Sequence, residues 1–153
     1  ALPYFNFSYP ERTGVVSDVA QNESSLIGLI SIIAPIIAGG NTVVVLASDS
    51  KPLCSITFAE VLHTSDVPGG VVNILTGHRS ELLEHFSSHM DVNAIVYCGT
   101  DNDEITLVQQ NAALNVKRPV VYTDQDWMDN TVQDPYRILN TLETKVTWHP
   151  VGV

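Results

Sequence analysis

The sequence has little cysteine, little positive charge and no long apolar run. Among its 153 residues only Cys54 and Cys98 carry thiols. Two thiols do not build the disulfide framework of a small secreted fold, and a chain of this length buries enough surface to fold without one. Basic residues number 7 against 17 acidic ones, for a formal net charge of −10. A field of that sign repels phosphate backbones and anionic headgroups, so neither nucleic acid nor membrane is an expected partner. The most apolar stretch, Leu26 to Ala38, falls short of the roughly 20 residues a membrane span requires and reads as a buried helix. The opening Ala1-Leu2-Pro3-Tyr4 has neither the basic region nor the apolar core of a secretory signal. A reducing, cytoplasmic setting is the expectation. No internal repeat, low-complexity tract or block of like charge occurs.

What is present is 44% apolar and strongly patterned. Short, β-branched, continuous runs predict strands covered on both faces at Thr13–Ala20, Thr42–Ala47, Val71–Leu75, Ala94–Cys98 and Pro119–Tyr122. Between them the pattern predicts helices over Ser25–Ala38, Pro52–Thr64, Ser80–His89 and Asn102–Asn115, with Pro35 kinking the first. Gly39-Gly40-Asn41 stops that helix, and Pro68-Gly69-Gly70 leads into the third strand. A last helix is predicted over Pro135–Thr144. The expected fold is α/β, a Rossmann-like three-layer αβα domain with a five-stranded parallel sheet. Leu29, Ile33, Val44, Val45, Ile74, Ile95 and Val96 form its expected core. Residues 1–153 read as one domain, with 1–12 an N-terminal extension and 145–153 a C-terminal tail. Ligands of such sheets bind outside the carboxyl ends of the strands, which directs attention to Gln21–Ser25, Ala47–Lys51, Thr76–Arg79, Gly99–Asp103 and Thr123–Trp127.

Several tempting sites have plainer readings. Both cysteines are expected to be buried structural thiols, because a reactive thiolate needs an electropositive setting that this chain scarcely offers. His85 and His89, four apart on a helix, lack an evident third ligand, so no metal site is expected. Asp124, Asp126, Asp129 and Asp134 lack the spacing and central glycine of a calcium loop and read as a solvated acidic loop. His78-Arg79-Ser80-Glu81 reads as a helix start, and no Gly-x-Ser-x-Gly elbow is present. The sequons at Asn6 and Asn22 are no more than chance supplies.

Three linked motifs resemble a known family. An apolar helix runs into Ala38-Gly39-Gly40-Asn41-Thr42-Val43-Val44. A turn follows at Val67-Pro68-Gly69-Gly70-Val71-Val72-Asn73 with Gly77 beyond it. Then His89-Met90-Asp91-Val92-Asn93 leads into Tyr97-Cys98-Gly99-Thr100. In order and spacing these resemble the cofactor-binding half of NAD(P)-dependent aldehyde dehydrogenases, from Thr13 to about Val121. The resemblance implies vestigial cofactor contacts at Ser48, Asp49, Pro68, Gly69, Gly99 and Thr100.

The departures from the family pattern bear directly on function. The family's Pro-Trp-Asn, whose Asn helps hold an oxyanion, is here Gln21-Asn22-Glu23, and a carboxylate there opposes developing negative charge. The family's Lys-Pro-Ser-Glu, which grips the adenosine ribose, is Leu46-Ala47-Ser48-Asp49; of these, Asp49 retains a group able to accept from a ribose hydroxyl. Its Gly-Ser-x-x-x-Gly phosphate loop is Gly99-Thr100-Asp101-Asn102-Asp103-Glu104, where three carboxylates compete with a pyrophosphate. The Glu-Leu-Gly-Gly base motif is replaced by Pro119-Val120-Val121-Tyr122 after Lys117-Arg118, and these 153 residues hold no counterpart of the family's catalytic domain. In this the chain resembles the second, non-catalytic domain of family-sixteen aldehyde dehydrogenases, and Trp148-His149-Pro150-Val151-Gly152 resembles the end of those chains. That resemblance implies a C-terminal piece of a longer protein, with no catalytic residue, no cofactor and a structural or assembly role. The alternative is a working NAD(P)-binding domain of an aldehyde oxidoreductase. Related dehydrogenases pair through the helix after the phosphate loop. About 102–115 is therefore the expected surface for self-association or for contact with another dehydrogenase domain, with Ile105, Leu107, Val108 and Leu114 supplying apolar area.

Overall fold

The β-branched runs form the strands they predict. The computed structural model describes residues 4–151. Its central sheet is β2 (Val15–Val19), β3 (Thr42–Leu46), β4 (Val72–Leu75), β5 (Ala94–Cys98) and β6 (Arg118–Tyr122), all parallel, in the order β4-β3-β2-β5-β6. Helices α1 (Ile27–Ala38) and α2 (Leu53–His63) pack on one face; α3 (Arg79–Ser88) and α4 (Asn102–Leu114) pack on the other. The predicted three-layer fold and its five parallel strands are therefore present. Chain order reverses between β2 and β5, which makes their carboxyl ends the switch point of the sheet.

The core divides between the two faces. Val16, Leu29, Ile33, Val45 and Val96 pack under α1, while Val19, Leu46, Ile95 and Tyr97 pack under α3 and α4 with Leu83, Phe86 and Val108. Two expected core residues, Val44 and Ile74, are half-buried. Val44 faces the side where α3 and α4 cover β2, β5 and β6 rather than β3 and β4, and Ile74 lies on the edge strand β4, on the opposite face, which α2 covers. Helix α1 continues through Pro35 without a break.

The amino end of the sheet is held by polar side chains in the connections, of which Asn41 and Lys117 are buried. Asn41 is the chief of these. Its Oδ1 accepts the Gly14 N–H at 2.9 Å, and its Nδ2 donates to the Ile36 and Thr141 carbonyls at 3.3 and 3.0 Å. Asn73 donates to the Gly70 carbonyl at 2.8 Å and so closes the Pro68–Val71 turn. Asn93 accepts the Val15 N–H at 3.0 Å; its Oδ1 lies so close to Gly14, at φ +129°, that a Cβ there would stand 2.4 Å away. Lys117 Nζ donates to the Ser87 and Ser88-flanking His89 carbonyls at 2.7 and 2.9 Å, satisfying the end of α3.

Within the extension (1–12) and tail (145–153) the described residues belong to strands β1 (Tyr4–Arg12) and β7 (Leu142–Pro150), paired antiparallel over nine residues from Tyr4↔Pro150 to Arg12↔Leu142; residues 1–3, 152 and 153 lie outside the described residues. One expectation nearby is corrected. The helix expected over Pro135–Thr144 is a 3-10 turn, Pro135–Thr141, that ends where Leu142 must leave to pair with Arg12. Thr13 Oγ1 and Asn41 both donate to the Thr141 carbonyl, and Arg118 donates to that of Leu142, which pins this exit. On α4, Val108 is buried and Ile105 and Leu107 turn half-buried into the core, leaving Thr106, Gln109, Gln110 and Leu114 outside.

Candidate functional site

A cleft of about 340 Å³ opens at the switch point, lined by Gln21, Asn22, Glu23, Arg79, Cys98, Gly99, Thr100, Asp101, Tyr122 and Asp124. Its floor is the carboxyl ends of β2 and β5. Asn22 ties one wall together: its Oδ1 accepts from the Asp49 N–H at 2.9 Å and from the Ser48 hydroxyl at 3.2 Å. Ser48 is fully buried and also accepts the Lys51 N–H at 3.1 Å, so its hydroxyl is spent on the β3–α2 turn. The Asp49 carboxylate is exposed and meets His78 Nδ1 at 3.0 Å.

The opposite wall is the start of α4, where carboxylates replace the family's phosphate loop. Asp101 Oδ1 accepts the N–H groups of Asp103 and Glu104 at 2.9 and 3.2 Å. Those are the donors that a helix N-terminus presents to an anion. Glu104 turns inward, accepting from the Tyr97 hydroxyl at 2.5 Å and from Arg79 Nη1 at 3.2 Å. Arg79 Nη2 also donates to the Ala20 carbonyl at 2.6 Å, and its guanidinium lies 5.5 Å from the centre of the Tyr97 ring. Burial and the Glu104 carboxylate together push the Tyr97 phenol well above its usual range. The cleft's one arginine is thus occupied by protein groups.

Behind the floor lie two more ionisable side chains. Asp18, on β2, is wholly buried, and neither carboxylate oxygen has a hydrogen-bond partner among the described residues. Burial pushes its pKa up to about 8, against the opposing pull of Arg79. Cys98 is buried and its thiol is held well above the usual range by burial and by Asp18, which keeps it neutral and poorly nucleophilic. Cys54, expected to be buried, is exposed on α2. The outer wall is aromatic. Trp127 is buried beside Gly28, its Nε1 donates to Gln21, and Arg137 stacks on Trp127 and Tyr122 at 4.8 and 4.4 Å from their ring centres.

Of the six sequence-predicted cofactor positions, Gly99 and Thr100 line the cleft, while Ser48 and Asp49 lie behind its wall, hydrogen-bonded to the lining residue Asn22. Pro68 and Gly69 do not join them. They precede β4 at the amino end of the sheet, a strand's length of roughly 15 Å away, and line a separate hollow with Ala59, Leu62 and His63. Arg79 and Trp127 lie in loops that the strand ends point to but are not among the six predicted positions, and Asp18 lies in none of those loops. For Arg79 a signal existed: a glutamate in place of the loop's second glycine calls for a counter-ion, and only seven cations are available. Among the described residues no group of three or more His, Cys, Asp or Glu side chains forms a metal cluster. Asp126, Asp129 and Asp134 instead accept the N–H groups of Met128, Thr131 and Tyr136, capping turns. No helix among the described residues is long and apolar enough to cross a membrane.

A parallel α/β sheet with its order reversing at a polar cleft is a Rossmann-like fold. The family is given by the sequence: residues 4–123 match the model of the aldehyde dehydrogenase family, and the chain belongs to that family. It is 30% identical over 136 residues to the hydroxyisobutyraldehyde dehydrogenase of Mycolicibacterium austroafricanum, a match covering 84% of this chain and 27% of that protein. It is 29% identical over 140 residues to human aldehyde dehydrogenase 1A1, covering 85% of this chain and 28% of that protein. Among solved structures, aldehyde dehydrogenase C of Pseudomonas syringae, a mutant crystallised with NAD+ and octanal, superimposes with a TM-score of 0.74 at 31% identity, over 77% of this chain and 24% of that one. The chain therefore spans about a quarter of the length of the relatives it matches.

Proposed function

We propose that this chain is a non-catalytic aldehyde-dehydrogenase-like domain with an assembly role, of the kind that forms the second domain of family-sixteen aldehyde dehydrogenases. The observation that carries this reading is the start of α4. Asp101 has taken the N–H groups of Asp103 and Glu104, and Glu104 has taken Arg79. A pyrophosphate entering there finds filled donors and two carboxylates instead of free donors and a glycine, so these residues do not fit a dinucleotide. Leu46, in the position of the ribose-gripping lysine, is buried under α3 and supplies no donor. Glu23, on the cleft rim, opposes an oxyanion, and the neutral Cys98 thiol supplies no nucleophile. The domain's work on this reading is to hold a shape and present surfaces, in the cytoplasm.

The second reading, a working NAD(P)-binding domain, is favoured by one observation: the cleft persists at the switch point, lined by Gly99 and Thr100. Calorimetric titration of the chain with NAD and with NADP separates the two. The expected result is no saturable binding below about millimolar concentration, and no NADH formed from an aldehyde above a blank. Binding in the low micromolar range overturns the assembly reading.

A further inference from the structure

We infer that the cleft at the switch point takes a small aliphatic diamine, one ammonium against Asp18 at its floor and the other among Glu23, Asp101 and Asp124 at its rim. The inference rests on the reading above that a dinucleotide no longer fits, and it names what the same cleft fits instead. The rim gives the sign of the ligand. Glu23, Asp101 and Asp124 line the cleft, and none of them has an ion-pair partner among the described residues. Asp101 spends one oxygen on the start of α4 and keeps the other uncommitted. Arg79, the cation in the lining, is held by Glu104 and the Ala20 carbonyl, and the Lys51 ammonium is turned to the Glu23 carbonyl.

Acidic rims are common, and the floor sets this one apart. Asp18 pairs with Val96 across β2 and β5, and Cys98 pairs with Tyr122 across β5 and β6. Paired residues share a face and alternate residues return to it, so Asp18 stands on the face where Cys98 and Tyr122 line the cleft. It is wholly buried, and both its oxygens lack a partner among the described residues. Buried polar groups are nearly always bonded, so an open carboxyl at the foot of a cleft marks the place of a donor. Arg79 tempers the effect of burial on Asp18, and Asp18 in turn raises Cys98 and Tyr122, which puts its carboxyl within electrostatic reach of three lining residues. Helix α1, which covers this face, carries no charged residue, Asp126 caps its own turn, and Arg137 lines the neighbouring hollow that shares Tyr122 as a wall.

Chemistry selects the occupant. An ammonium brings the charge that the rim lacks and donates N–H groups to carboxylates that can only accept. Among the described residues no three His, Cys, Asp or Glu side chains converge as a metal ion requires, so a single ion does not serve these carboxylates. A chain with an ammonium at each end spans floor and rim. Its methylenes lie along the neutral Cys98 thiol and the Tyr122 ring, whose face attracts a nearby cation. A cleft of about 340 Å³ is at the small end of ligand sites and suits a diamine of about four carbons. With its pKa at about 8, Asp18 is protonated at pH 7, so the ligand displaces that proton. The Asp18 O–H bond breaks, one proton leaves to solvent, and the ammonium donates to the carboxylate left behind.

Calorimetric titration of the chain with 1,4-diaminobutane at pH 7 and low salt tests this. One site is expected, with a dissociation constant on the order of 100 μM and about one proton released, read from titrations in buffers of different ionisation heat. 1-Aminobutane is expected to bind at least about tenfold more weakly, because it meets floor or rim but not both. Asp18→Asn, with its fold checked by circular dichroism, is expected to weaken the diamine about tenfold and to abolish the proton release. Asp124→Asn is expected to weaken it about threefold. Asp91→Asn removes an exposed carboxylate at the other end of the sheet and is expected to change nothing. No saturable binding, equal weakening by Asp91→Asn and Asp124→Asn, proton release that survives Asp18→Asn, or displacement of the diamine by an equal concentration of calcium ion overturns the proposal. NAD is titrated separately: low-micromolar NAD binding overturns the functional reading, whereas failure of both NAD and the diamine to bind overturns this inference alone.

Discussion

The two ends of the sheet have kept different parts of the family's sequence. At the amino end, Asn41, Asn73, Asn93 and Lys117 each close a connection by hydrogen bonds to backbone groups. At the carboxyl end, where family members carry their working loops, Gln21-Asn22-Glu23, Leu46, Asp101 and Glu104 replace the expected residues, and protein groups fill one another's needs. Motifs that looked like marks of a cofactor site are, in three of these asparagines, fastenings of the scaffold. A chain keeps its fold by keeping such fastenings, whatever becomes of the cleft at the other end.

That contrast breaks if the amino end proves as tolerant as the carboxyl end. Asn41→Ala is expected to have the largest effect, about 4 kcal/mol, because it leaves the Gly14 N–H without a partner and takes one of two donors from each of the Ile36 and Thr141 carbonyls. Urea unfolding measures it, and the cleft-rim control Glu23→Ala is expected to stay within about 0.5 kcal/mol. A small loss at Asn41 would remove the distinction.

The next effect sharpens the contrast from the other side, since Asp18 lies behind the cleft and is itself unsatisfied. A carboxyl whose pKa rises from 3.8 to about 8 on folding favours the folded state only while protonated. Its contribution is complete below pH 3.8 and is lost as pH rises toward 8. Relative to wild type, Asp18→Asn is expected to become more stable across that window, by about 2–4 kcal/mol at pH 9. Thermal melts of both proteins from pH 4 to pH 9 test this, and parallel profiles would show that Asp18 does not titrate in the folded state.

The smallest effect is at the start of α4. Glu104→Gln keeps an acceptor for Tyr97 and removes the ion pair with Arg79, at an expected cost of about 1 kcal/mol that diminishes in salt. A loss several times larger would make this pair a fastening like those at the amino end.

Much of the fold was legible because the parallel sheet writes itself in continuous runs: the predicted Ala94–Cys98 strand is β5 to the residue, and the helix starting at Asn102 ends one residue before its predicted limit. The ribbon was not legible. Aromatic and polar residues alternate from Phe5 to Tyr9 in β1, neither strand has a buried face, and their pairing spans nearly the whole chain. Pro135 after Asp134 is a sound helix start, and Asp134 does cap it, yet the demand of β7 for Leu142 cuts the turn short. At the site, the loops that line the cleft could be named from the strand ends. That Pro68 and Gly69 stand at the far end of the sheet follows from the parallel direction of β4, which a motif match alone does not weigh.

The nine pairs of β1 with β7 also have a kinetic meaning. Tyr4 and Pro150 meet only after 145 residues of intervening chain have been gathered, whereas three of the four strand pairs in the sheet form across a single helix and the fourth, β2 with β5, across fewer than 80 residues. Closing so long a loop from an unfolded chain costs roughly 4–5 kcal/mol of entropy, and most of that cost disappears once the sheet and its helices have brought Arg12 and Leu142 together. The ribbon is therefore the last element to zip, from its base outward, and the first to open. In hydrogen exchange its outer amides, from Tyr4 toward Ser8, trade with solvent long before those of β5, so the molecule carries a slow-folding centre and a fast, reversible clasp.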